Sequence, residues 1–202
     1  MAIKPILFNT EMVRANLDGR KSCTRRLVKG FVPDDAIWGF TAFTPKGYIS
    51  CRGTFADGYG EKFFKLPYQP GDILYVRETW HKGLERYMYR ADYSDTEKFY
   101  RNGKEIEMKW KPSIRMPKEA ARIWLKCTDV RVERLQDITE IGATKEGCVY
   151  DVEYALGNTA KGHFIEIWNS TIKRSDLYRY GWNANPWVWT IEYERCEKPE
   201  GV

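Results

Sequence analysis

Apolar positions in this chain come in short bursts of strand length, separated by glycine- and proline-bearing turns, and only a few stretches carry a helical period. Lys4-Pro5-Ile6-Leu7-Phe8 reads as a short apolar strand. Asn9 to Asp18 then reads as a short helix, with Asn9 or Thr10 as its cap, Val13 and Leu17 one turn apart on one face, and Gly19 as its stop. Ile37 to Phe43 and Tyr48 to Phe55 flank Thr44-Pro45-Lys46-Gly47 as a hairpin, and Asp57-Gly58-Tyr59-Gly60 reads as a closing loop. Gln69-Pro70-Gly71-Asp72 is a turn feeding Ile73-Leu74-Tyr75-Val76, a run apolar on both faces and so a candidate central strand.

Between His81 and Trp110 the pattern weakens into charge and tyrosine. Tyr87 to Tyr93 is the clear strand there, and Asn102-Gly103 marks a hairpin turn. Lys111 to Lys118, with two prolines, is an irregular basic segment that could cup a phosphate or sit in water. Ile123, Leu125 and Cys127 share one face of a strand that Val130 and Val132 continue after an irregularity. Thr139 caps a short helix ending near Glu146 and Gly147. A second helix spans roughly Gly162 to Asn169, with Phe164, Ile167 and Trp168 as its apolar stripe. A turn from Trp182 to Pro186 leads into the last strand, Trp187 to Tyr193. Many strands with few short helices imply a mainly β or α+β domain, a small mixed-sheet barrel, with 81–117 inserted into a single unit over 1–202.

Composition narrows the chemistry. The 202 residues, 43% hydrophobic, suffice for one large domain with a real core. No apolar run approaches the ~20 residues of a membrane helix and no charged-then-apolar leader opens the chain, so the expectation is a soluble cytoplasmic protein with no membrane partner. Five scattered cysteines without a C-x-x-C pair suggest neither a disulfide framework nor a zinc site, and two histidines argue against a His-ligated metal or a Ser-His-Asp triad. No cofactor is expected. A net charge of +5 with eight tryptophans interleaved among cations suits a nucleotide or single strand, as it also suits the ordinary core of a β-rich fold.

The densest polar cluster is Gly19-Arg20-Lys21-Ser22-Cys23-Thr24-Arg25-Arg26, which on its own is also what a solvated basic turn looks like. It resembles the G-x-K-x-x-x-x-R signature of ASCH domains, with Arg25 or Arg26 as the arginine. Pro70 to Val76 looks like that family's turn and central strand, and Leu135 to Glu146 like its strand-to-helix segment. The resemblance implies a PUA-like barrel with short flanking helices, in a long variant of the phage or prophage kind, binding RNA or nucleotides. One branch of the family is an amidohydrolase that deacetylates N4-acetylcytidine with a Lys, a Thr and a Glu. Motif by motif these fall on Lys21, Thr24 and Glu146, although that enzyme is about half as long.

In such a site Thr24 would attack the amide carbonyl once Lys21, its charge disfavoured by burial and by Arg25 or Arg26, takes its proton. Glu146, at a helix end where the dipole disfavours a carboxylate, would carry a proton to the leaving amine, and an amide near Gly19 or Cys23 would hold the oxyanion. Arg77, Glu78 and Trp80, at the end of the central strand, are expected in the same cleft, drawing in Lys111, Arg115 and Asn183. Arg77 and Glu78 also fit a structural ion pair. Two other readings remain open: a non-catalytic reader of RNA or a modified base, with Lys21 and Arg25 on phosphate and Trp80 or Trp182 stacked on a ring, and a metal-independent ribonuclease using Lys21 and Arg77. A purely structural phage protein is the plainest alternative.

Overall fold

The computed structural model describes residues 1–84, 86–149 and 159–201, and it is mainly β with short helices. The first strand β1 (Ile3–Leu7) leads into α1 (Thr10–Leu17), whose Asn9 cap accepts from the Met12 N–H at 2.8 Å. Gly19, at φ +73, ends that helix in the left-handed region open to glycine. There follow β2 (Cys23–Leu27), β3 (Ile37–Gly39), β4 (Tyr48–Phe55), β5 (Gly58–Lys65) and β6 (Ile73–Arg77). Between β6 and the next long strand lie β7 (Trp80–Lys82), β8 (Tyr87–Tyr89), β9 (Phe99–Arg101) and β10 (Lys104–Ile106). Then come β11 (Trp124–Arg134), α2 (Glu140–Lys145), α3 (Ala160–Thr171), α4 (Leu177–Tyr180) and β12 (Trp187–Cys196).

Five strands form the main sheet in the order β1-β6-β11-β12-β2, with β1 and β6 parallel and the other neighbours antiparallel. The apolar run Ile73 to Val76 lies inside it, as a strand apolar on both faces must. The irregularity expected after Cys127 is a bulge between Cys127 and Asp129. It turns Val130 back toward the core face shared by Leu125 and Cys127.

The strands β3-β4-β5 form a second sheet, packed onto the first through Trp38, whose ring lies 5.9 Å from Trp187, 6.2 Å from Trp189 and 5.1 Å from Phe64. Among the described residues no closed barrel forms: the main sheet ends at β1 and β2, and the other strands pair in separate sheets of three, two and two. The segment read as a closing loop at Asp57 to Gly60 instead begins β5, because Phe55 pairs with Gly58 across a two-residue turn and Gly58 takes φ +110. The strand β5 is exposed along most of its length, so it carries no apolar alternation to reveal it. No helix among the described residues is long and apolar enough to cross a membrane.

Strand β12 is buried on both faces. Trp189, Ile191 and Tyr193 enter the main core with Leu74, Val76 and Leu125, while Val188 enters a second core with Leu135, Ile138, Phe164 and Trp168. The helices α2 and α3 therefore cover the far side of the sheet beside its β2 edge. Asp72 ties the turn before β6 to the chain start, accepting from the Ala2 N–H at 2.9 Å, the Lys4 ammonium at 2.7 Å and the Gln69 N–H at 3.0 Å. Burial pushes its carboxyl up, but these donors outweigh it and hold the group below its usual 3.8. Its stabilising contribution is then full above the unfolded value and is lost as pH falls through the depressed folded one. Asp72→Asn is expected to lower the melting temperature at neutral pH and to flatten the acid side of a pH-stability curve below about pH 4.

Candidate functional site

The second edge of the main sheet, β2, faces a cavity of about 380 Å³. The register with β12, from Leu27 opposite Val188 to Cys23 opposite Glu192, directs even-numbered peptide groups of β2 inward, as in the bonds from Tyr193 N–H to the Ser22 carbonyl and from Val28 N–H to the Trp187 carbonyl. Odd-numbered groups face outward. Consistent with this, the Cys23 carbonyl accepts from Lys21 Nζ at 2.8 Å and the Arg25 carbonyl from Arg26 Nη1 at 3.2 Å. The Arg25 N–H shares that outward side.

Lys21, Thr24 and Glu146 all line this cavity, and each is at least about 95% buried. They meet because the chain just before β2 pairs with the end of α2: Lys21 and Glu146 form an antiparallel bridge, and the Ser22 N–H donates to the Lys145 carbonyl at 2.8 Å. Thr139 caps α2 by accepting from the Gly142 N–H at 3.0 Å, and Glu146 is its last cap, as the sequence pattern implies. Lys21 Nζ donates to Glu146 Oε2 at 2.7 Å, to the Glu146 carbonyl at 2.7 Å and to the Cys23 carbonyl, which uses all three of its N–H groups. Among the described residues the Thr24 hydroxyl has no hydrogen-bond partner, which leaves it to whatever enters the cavity.

Gly147 makes the meeting sterically possible. It sits at φ +90, and a Cβ there would lie 2.7 Å from Ala15 Cβ and 3.2 Å from Lys21 Cβ. Gly147→Ala is expected to cost about 2 kcal/mol or more through this strain and clash, read by denaturant unfolding. The same substitution displaces Glu146 from Lys21.

Arg25 lies on the other side of Glu146, donating from Nη1 to Oε1 at 3.2 Å, so the carboxylate is held between two cations. The walls are apolar and aromatic: Phe8 and Met12 from the β1-α1 side, and Phe164, Ile167 and Trp168 from α3. The Phe8 ring lies 5.5 Å from both Lys21 Nζ and the Arg26 guanidinium carbon. Exposed Arg26 and Lys29 stand at the mouth. Cys148 also lines the space, yet burial above all, and then the Glu146 charge, pushes both its thiol and that of Cys23 up to about 12. Neither is a thiolate nucleophile at neutral pH.

The cleft does not gather the other residues expected in it. Glu78, 1% exposed, forms a two-pronged pair with Arg122 at 2.9 and 3.0 Å, and Arg122 also binds Asp92 at 2.9 Å. Trp80 is buried against Met116, Ala120 and Trp124 in a third core, with Lys111 Nζ over its ring at 5.0 Å. Arg77 donates to the Ile114 carbonyl. Arg115 and Asn183 are exposed, and none of these residues lines the cavity. The reason lies in sheet order: β6 is separated from β2 by β11 and β12, so its C-terminal end delivers side chains to the segment between β7 and β11. Trp182 packs 6.4 Å from Phe164, likewise outside the cavity lining. The Gly19 N–H is spent on the Asn16 carbonyl, so it is no oxyanion donor.

Several residues of the site escaped the sequence reading. Phe164 and Trp168 were legible as an apolar stripe, but not as a stripe that also walls a cavity. Asn9 was legible as a cap, with its Oδ1 accepting from the Met12 N–H, but not as a residue of the cavity wall. Glu133, which holds Arg25 from behind at 3.1 Å, left no local signal. Among the described residues no group of three His, Cys, Asp or Glu side chains is gathered to hold a metal ion. Compared with family models, with curated proteins and with solved structures, the chain has no match.

Proposed function

We propose that this chain is a PUA-like, ASCH-type domain whose cavity hydrolyses the acyl amide of an N4-acylated cytidine or a closely related modified nucleoside. The observation that carries this reading is the meeting of Lys21, Thr24 and Glu146 in one aromatic-walled cavity, with 2.7 Å between Lys21 Nζ and Glu146 Oε2. The volume of about 380 Å³ falls in the range of small-ligand sites, and the aromatic lining of Phe8, Phe164 and Trp168 favours a flat ring as ligand.

The chemistry follows from the ion pair. Passing one proton from Lys21 Nζ to Glu146 Oε2 leaves an amine and a carboxylic acid with no change in net charge. As the Thr24 hydroxyl attacks the amide carbon, its proton passes through one water to the Lys21 amine, because no hydrogen bond joins the hydroxyl to Nζ. The tetrahedral oxyanion is met by the Arg25 N–H on the outward edge of β2, next to the nucleophile, and by the Asn9 side-chain amide. The carbon-nitrogen bond then breaks as Glu146 protonates the leaving nitrogen, which returns the pair to ammonium and carboxylate. Water cleaves the threonyl ester by the same relay, releasing the acid and restoring the hydroxyl.

Lys21 has no N–H to spare for a phosphate, which weighs against its grip on phosphate in a purely binding module, and its distance in sheet order from Arg77 weighs against a ribonuclease pair. The test is to incubate the protein with N4-acetylcytidine and separate the products by chromatography. Release of cytidine and acetate supports hydrolysis. Saturable binding without any cytidine formed overturns it in favour of a reader.

A further inference from the structure

Behind the cavity the far face of the sheet carries a second, smaller space of about 200 Å³, and the Arg25 side chain, 4% exposed, separates the two. Register explains the arrangement: Arg25 lies opposite Thr190 and Thr190 opposite Arg131, so these side chains share one face, with Glu133 two residues further along β11. Arg25 Nη2 donates to Glu133 Oε2 at 3.1 Å, Thr190 Oγ1 donates to the same oxygen at 2.8 Å, and Arg131 donates to Glu133 Oε1. Two cations and two carboxylates thus alternate inward from the sheet face: Glu133, Arg25, Glu146, Lys21.

We infer that Glu133 is a positioning residue for the site, acting through Arg25: it fixes the guanidinium on Glu146 Oε1 and cancels its charge, so that Oε2 and Lys21 exchange a proton without an excess cation beside them. This rests on the hydrolytic reading above. Without Glu133, the Arg25 guanidinium 3.2 Å from Glu146 Oε1 would stand beside the relay as an uncompensated cation. Burial pushes the Glu133 carboxyl up, but the bonds from Arg131 and Thr190 and the charges of Arg131 and Arg25 outweigh this and hold it below 4.5, so it is charged at neutral pH.

Of the other groups facing the relay, Arg26 and Lys29 line the same cavity, Arg20 donates to the Gly147 carbonyl at 2.7 Å, and Glu11 on α1 is paired with His163 on α3 at 3.0 Å. Cys23 and Cys148 are pushed to about 12 and Tyr193 well above 10, chiefly by burial, so they stay neutral. Glu192 and Asp129 are tied to Arg131, Lys145 and Asp137 edge the smaller space, and α3 presents the Phe164 ring, 6.0 Å from the Arg25 guanidinium carbon.

The pH dependence of N4-acetylcytidine turnover tests the inference. In Glu133→Gln both limbs of the kcat profile should move to lower pH by about one unit, because a lost negative charge makes the relay release protons more readily, with KM within about twofold. Glu133→Asp should return the limbs toward their original positions. Arg25→Gln should move them the opposite way, and it supplies the test if Glu133→Gln does not fold. Unmoved limbs in an active enzyme overturn the inference while the hydrolytic reading stands. If the wild type turns over nothing, the hydrolytic reading falls instead. The Lys21 side-chain ¹⁵N resonance, followed across pH in wild type and variants, then decides: displacement in opposite directions by the two substitutions supports the charge coupling, and identical curves overturn it.

Discussion

Thr24→Ala is expected to lower the turnover of N4-acetylcytidine by about three orders of magnitude or more, while leaving its binding within a fewfold of wild type. The hydroxyl makes no hydrogen bond among the described residues, so removing it costs the fold little beyond a small void at a 1% exposed position. Lys21→Met and Glu146→Gln should each lower the rate to a similar floor, and any pair of the three should be no worse than the single changes, because groups that act as a relay fail together. The two latter variants also lose stability, since each leaves a buried charge with fewer partners. The measurement is kcat and KM for the three single and three double variants, alongside nucleoside binding by calorimetry. Wild-type turnover in Thr24→Ala ends the nucleophile assignment.

The second large effect concerns stability away from the cleft. Arg122→Ala should destabilise the protein by about 3–5 kcal/mol, because it strands the Glu78 carboxylate, 1% exposed, after removing both of its guanidinium contacts. Replacing both partners by methionine should recover most of that loss, since a buried pair exchanged for apolar packing is often neutral. The pH dependence has a definite sign. Burial raises the Glu78 carboxyl above 4.5, with Arg122 opposing, so folding penalises its charged form and the penalty fades as pH falls through the folded value toward 4.5. Without Arg122 the folded value rises further. The deficit of Arg122→Ala relative to wild type should therefore shrink on acidification, checked by urea unfolding at pH 7 and near pH 5. A deficit that is constant with pH would mean that lost packing, including the Arg122 stack 4.0 Å over Tyr89, carries the effect.

The elements that the sequence determined by itself are those written in a few adjacent residues. The Asn9, Thr139 and Gly147 helix ends, the Asn102-Gly103 hairpin with both residues at positive φ, the buried run Ile73 to Val76 and the break after Cys127 were all legible, because caps, tight turns and alternation depend on neighbours within about one turn. So were the apolar stripe of α3 and the polar cluster at Lys21. Strand β5 was not, since an exposed strand beginning Gly-Tyr-Gly has no alternation to show.

Where each side chain is delivered was decided only by strand order and register. Arg77, Glu78 and Trp80 follow a central strand as convincingly as any cleft residues, yet β11 and β12 stand between them and β2, so Glu78 finds Arg122 instead of Lys21. Glu133 looks like one charge among many along β11. Its pairing with Arg25, 108 residues away, exists because two successive antiparallel registers put Arg131, Thr190 and Arg25 on one face. Lys21 and Glu146, 125 residues apart, meet through a backbone bridge that a glycine at φ +90 lets form against α1. Local preference selects the conformation of a few residues at a time, whereas pairing across the chain is selected by the burial of whole faces, and only the folded sheet brings those faces together.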